Sequence, residues 1–87
     1  MVTMRDAIIN RIDVHIEMHQ ESIDSLVDNI EATDEDETIE GVMYEIKRVR
    51  TLKSLRIVLD SGKMPSQGTK EDFVLRDVIE EMMDLSV

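Results

Sequence analysis

The sequence predicts an all-α protein, a three-helix antiparallel bundle of two long helices and one shorter one that assembles as a helical homodimer. Three observations carry that reading. Apolar residues recur at three- and four-residue steps through three separate segments. Capping pairs, Thr3-x-x-Asp6 and Thr69-x-x-Asp72, open the first and the last of them. The one long interruption, 61–69, gathers Ser, Gly, Pro and Gln. The 87 residues are read as a single domain with helices over about 4–32, 35–60 and 70–85 and a loop over 61–69.

In the first helix, Ile8, Ile9, Ile12, Ile16, Ile23, Leu26, Val27 and Ile30 fall on one face, with His19 near its middle and His15 at its edge. Met4, Ala7, Val14 and Met18 form a narrower stripe beside it. Together the two stripes wrap about 200° of the helix, whereas packing on a single core needs roughly 100°. The helix therefore expects two packing partners. The third helix is about half its length and leaves part of it uncovered, so the second partner is read as another copy of the chain across a two-fold axis. Met4, Ala7, Ile8, Ile12, Val14 and Met18 are assigned to that self-association.

The rest of the first helix is acidic, with Asp6, Asp13, Glu17, Glu21, Asp24, Asp28 and Glu31 and no base among them. Acids three or four apart on a helix repel by a few tenths of a kcal/mol per pair. A face kept single-signed at that cost is either simply solvated or meets something basic. Asp13, Glu17, Glu21, Asp24, Asp28 and Glu31 are the candidate partner-binding residues. Successive acids advance about 4.5 to 6 Å, of the order of the spacing of phosphates along a strand, which gives the partner reading a sharper form: mimicry of nucleic acid.

Between the first two helices, Glu31 to Glu40 holds six acids and no base. Acids in a first turn favour the positive end of a helix dipole, and Thr33 or Asp34 suits the cap, so the run announces a second helix. It lacks the alternating ligands, central Gly and closing Glu of a calcium loop. Ile39, Val42, Met43, Ile46 and Val49 then mark an early apolar face, after which Leu52, Leu55 and Leu59 drift around the axis. That drift requires overwinding, a bend near Thr51 or a change of partner halfway along. Gly41 weakens the helix locally unless it marks a close crossing.

The later half of this helix carries Lys47, Arg48, Arg50, Lys53 and Arg56, with no acid from Lys47 through Leu59. Arg48, Arg50, Lys53 and Arg56 are the candidate anion-binding residues. No aromatic residue interleaves them in the sequence, as a nucleic-acid platform would need. The structural alternative is that they suit the helix dipole and pair with the acidic helices alongside.

Ser61-Gly62 stops the helix and Pro65 prevents its continuation. In the third helix Val74, Leu75, Val78, Ile79, Met82 and Leu85 share a face, and Asp72 can pair with Arg76. Phe73 projects away from that face as a staple on the loop or an interface anchor.

Composition narrows the function. Twenty acidic against ten basic residues give a formal charge of −10, which disfavours direct binding to nucleic acid or to an anionic membrane. With no Cys, disulfides, zinc-thiolate sites and thiol nucleophiles are excluded. Tyr44 and Phe73 are the only aromatics, so Ile, Leu, Val and Met must build the core. The sequence shows no signal peptide and no apolar run of about 18 residues, so a cytoplasmic location is expected.

His15 and His19 stand at the i, i+4 spacing that can place two imidazoles over one metal. No further His or Cys exists to complete a shell within one chain, so they are read as core residues and no metal or cofactor is expected. Glu37-x-x-Glu40 and Glu81-x-x-Asp84 are paired carboxylates of the kind that hold Mg²⁺ between helices. On those two motifs alone the chain resembles the all-α nucleotide pyrophosphatases, a likeness that would imply a Mg²⁺-dependent hydrolase. The motifs stand about twice as far apart in the chain as that family's pattern has them, and no catalytic residue is carried over. No Ser-His-Asp order, phosphate loop or dinucleotide fingerprint is present.

The leading expectation is therefore a small acidic, non-enzymatic interaction module, a homodimer presenting acidic helix faces to a basic protein surface. It would act as an inhibitor or regulator of the kind viruses and mobile elements encode. A nucleotide-binding or Mg²⁺-dependent hydrolytic protein and a structural assembly subunit are the alternatives.

Overall fold

The computed structural model describes residues 2–28 and 35–85, with side chains at all of these except 35–38. Among the described residues the secondary structure is entirely helical: α1 Met4–Asp28, α2 Glu35–Asp60 and α3 Lys70–Leu85. The expected continuation of α1 to about residue 32 lies outside them, as do Ile30 and Glu31.

Local chemistry sets the described ends. At α1 the Asp6 amide donates to Thr3 Oγ1 at 3.1 Å and the Thr3 amide to the Asp6 carboxylate at 3.4 Å, a reciprocal capping box. At α3 the Asp72 amide donates to Thr69 Oγ1 at 3.2 Å, while the Asp72 carboxylate reaches one residue further back and accepts from the Gly68 amide at 3.0 Å. α2 ends in a Schellman motif: the Gly62 amide donates to Leu59 O and the Lys63 amide to Val58 O. The motif needs a left-handed residue, and Gly62 supplies it at φ 81°.

α2 lies against both neighbours, along most of α1 and more briefly along α3, while α1 and α3 touch over a short stretch. Arg5 meets the end of α2, Asp13 meets Arg56, His19 meets Glu45 and Leu26 lies beside Gly41. Numbers on α2 thus fall as those on α1 rise. The result is an elongated bundle 47 Å long and 27 by 20 Å across.

All three helices feed one core. Ile8 and Ile12 come from α1, Leu52, Leu55 and Leu59 from α2, and Val74, Leu75 and Val78 from α3, with Ile9, Ile16, Ile79 and Met82 packed around them. Each fully buried Leu or Ile contributes about 1.5–3 kcal/mol relative to exposure. The drift of Leu52, Leu55 and Leu59 is thus the line along which α2 meets both neighbours at once. The earlier face is used differently. Val42 is half-buried, but Ile39, Met43 and Ile46 are exposed. They continue through Arg50, Lys53 and Ile57 as a second, outward stripe with 4-3-4-3-4 spacing.

Candidate functional site

Four surfaces contain the residues singled out by the sequence. The first is the acidic ridge of α1. Glu17, Glu21, Asp24 and Asp28 are all exposed, and none forms an ion pair with a described residue. Asp13, assigned to the same face, instead accepts from Arg56 Nε at 2.6 Å and Nη2 at 3.3 Å. Asp13 and Arg56 were assigned to two different binding surfaces, and the fold joins them as a bridge between α1 and α2. The hydrogen bond to Asp13, helped by its charge, raises the Arg56 pKa above its ordinary value.

The second is the histidine pair. The His15 and His19 rings stack with centroids 6.3 Å apart. Each takes a carboxylate from a different helix, His15 from Glu81 on α3 and His19 from Glu45 on α2. Arg11 also binds Glu81, and the Arg11 hydrogen bond, with His15 adding to it, holds the Glu81 carboxyl below its usual range against the opposing effect of burial. Both imidazoles are thus committed to joining helices. Among the described residues no group of three or more His, Cys, Asp or Glu could hold a metal ion. In the two acidic motifs, Glu81 is engaged by Arg11 and His15, Glu40 and Asp84 are exposed, and the Glu37 side chain lies outside the description.

The third is the apolar flank of α1. Ile8 and Ile12 lie in the core of their own chain. Ala7 is half-buried, and Met4, Val14 and Met18 are exposed. Between the start of α1 and the end of α3 lies a groove of about 420 Å³, where Val2, Met4 and Ala7 face Ile79, Met82 and Met83. The exposed apolar surface is therefore narrower than the set assigned to self-association, and Met83, 65% exposed, adds to it.

The fourth is a larger groove of about 590 Å³ between α2 and α3. Its floor and rims include Arg48 and Arg50 from the candidate anion-binding set, joined by Lys47 and, from α3, Lys70. Arg48 lies 3.6 Å from Asp77. Lys53 is exposed but is not among the groove residues. Tyr44 and Phe73, the two aromatics of the chain, line it as well. The sequence shows no aromatic among the bases, yet the fold supplies two: Tyr44 stands one turn before Lys47, and Phe73 arrives from a helix more than twenty residues away. Had α2 and α3 been paired in advance, the outward position of Phe73 would have signalled this.

No protein-family model matches the chain, and no curated protein and no solved structure matches it either.

Proposed function

We propose that this chain is a small non-enzymatic interaction module whose α1 presents an acidic ridge to a basic surface of another protein, as an inhibitor or regulator. One observation carries the reading: Glu17, Glu21, Asp24 and Asp28 stand exposed along one rigid helix without a basic partner among the described residues. Neighbouring acids that join helices each have a partner there, Asp13 with Arg56, Glu45 with His19 and Glu81 with Arg11. Glu17, Glu21, Asp24 and Asp28 are spaced by about 4.5 to 6 Å along the axis, so a cationic groove shaped for phosphates is the surface they fit. A basic nucleic-acid-binding protein is the partner class.

The exposed flank of Met4, Val14 and Met18, continued by Met83, is the surface for a second copy, set beside the antiparallel α1–α2 pair. The acidic ridge adjoins that flank, with Glu21 about 20° around the helix from Val14, and is the strip of α1 offered to the partner.

The experiment is displacement. A panel of basic DNA-binding proteins is loaded with fluorescent duplex DNA, and release is followed by anisotropy as this protein is added. Release from at least one member, weakened about tenfold or more between low and moderate salt, is expected. The Glu17→Lys, Glu21→Lys, Asp24→Lys variant should release none while keeping its helical circular dichroism. Equal release by that variant refutes the surface assignment.

A further inference from the structure

The groove between α2 and α3 has a composition unlike the rest of this acidic chain. The residues lining it include four cations and not one acid, against a net charge of −10 for the whole. Pairing with neighbouring helices explains some of the bases on α2, since Arg56 is spent on Asp13 and Arg48 lies at 3.6 Å from Asp77. It does not explain Lys47, Arg50 and Lys70, whose side chains have no hydrogen bond or ion pair with a described residue. Like charges gathered in one concavity repel, and the repulsion is relieved by an anion seated among them.

The aromatics add a second, independent feature. Tyr44 is 65% and Phe73 61% exposed, so neither serves the core, and both line this same groove. Their rings are not stacked on one another; the ring contact among the described residues is that of His15 with His19. Two uncovered ring faces next to cations offer stacking to a planar group and charge to a phosphate in a single ligand. The volume, about 590 Å³, lies within the range of small-molecule sites.

We infer that the groove binds a nucleoside polyphosphate, its base on Tyr44 and Phe73 and its phosphates among Lys47, Arg48, Arg50 and Lys70. An inorganic phosphate would leave the rings unused, and a nucleoside would leave the cations unused. A long nucleic-acid strand would run from the groove onto a surface of net negative charge, whereas a mononucleotide needs the local cations alone. This surface is separate from the α1 ridge, and the inference does not depend on the role proposed for that ridge.

The test is a titration of the full, untagged chain with ATP, with tripolyphosphate and with adenosine, followed by calorimetry and by amide shifts of residues 44–51 and 70–74. ATP is expected to bind saturably, with tripolyphosphate about tenfold weaker and adenosine weaker still. Tyr44→Ala with Phe73→Ala should reduce ATP to the affinity of tripolyphosphate, and Lys47→Glu with Arg50→Glu should abolish both. These four side chains are exposed, so the variants retain the fold, which circular dichroism checks. Failure of ATP to saturate, equal binding of ATP and tripolyphosphate by the unaltered chain, or tighter binding of a poly-glutamate peptide than of ATP would each overturn the inference.

Discussion

Glu81 ties α3 to α1 through Arg11 and His15 together, so its loss unpairs two side chains at once. Glu81→Gln keeps the shape but not the charge; because the site is partly exposed, the expected loss of stability is on the order of 1 kcal/mol, measured by urea denaturation. The same carboxylate gives the protein an acid sensitivity. Glu81 is held below its ordinary range chiefly by Arg11, and Asp72 chiefly by the Gly68 amide. A depressed native pKa stabilises the fold at every pH above the unfolded value, about 4 for these groups, and the stabilisation is lost as pH falls through the lower native values. The melting temperature should therefore hold from pH 7 down to about 5 and fall below about 4, with a shallower fall in Glu81→Gln. At this scale the sequence was partly legible. The apolar surroundings of His15 and His19 marked them as packed, but their partners, Glu81 and Glu45, lie 66 and 26 residues away and become visible only once three helices are brought together.

α2 is the helix whose behaviour depends most on single glycines. Gly41 sits in its interior, where Gly costs about 1 kcal/mol relative to Ala. A Cβ placed there would meet Leu26 Cδ1 at 3.6 Å, an ordinary contact. Gly41→Ala is therefore expected to stabilise by about 0.5–1 kcal/mol and to raise the melting temperature by several degrees. Gly62 behaves oppositely: it has open space around it but a φ of 81°, so Ala there should cost about 1 kcal/mol through backbone strain alone. The capping residues and the Ser61-Gly62 stop were readable as local chemistry. The drift of Leu52, Leu55 and Leu59 was readable as a problem, and its solution, one line of contact with two neighbours, required the tertiary fold. Ile39, Met43 and Ile46 illustrate the limit of periodicity, which shows that residues share a face and not whether anything covers it.

At the scale of the whole molecule, the shared core is small and has no aromatic anchor. Leu55 is completely buried between the other helices, and Leu55→Ala should cost about 2–5 kcal/mol, a large part of the stability available to a chain this short; denaturant unfolding measures it. The all-helical class followed from the spacing of the apolar residues. The groove between α2 and α3 did not, because it joins bases from one helix to an aromatic on another. Assembly through the α1 flank predicts a solution mass of two chains that is unchanged by salt, and light scattering decides it. Crowding brings the outward stripe of α2 into play. Its 4-3-4-3-4 spacing is that of a coiled-coil seam, with isoleucine near both ends, but its middle is Arg50 and Lys53. Two such helices zipped in the register that matches their apolar ends would trap four cations in the middle of a dry seam. The cations therefore act as a lock against zippering, leaving an oily outer helix soluble when copies are packed close together. Replacing both by Leu opens that lock, and the variant should gather into larger, salt-insensitive species at concentrations where the unaltered chain does not.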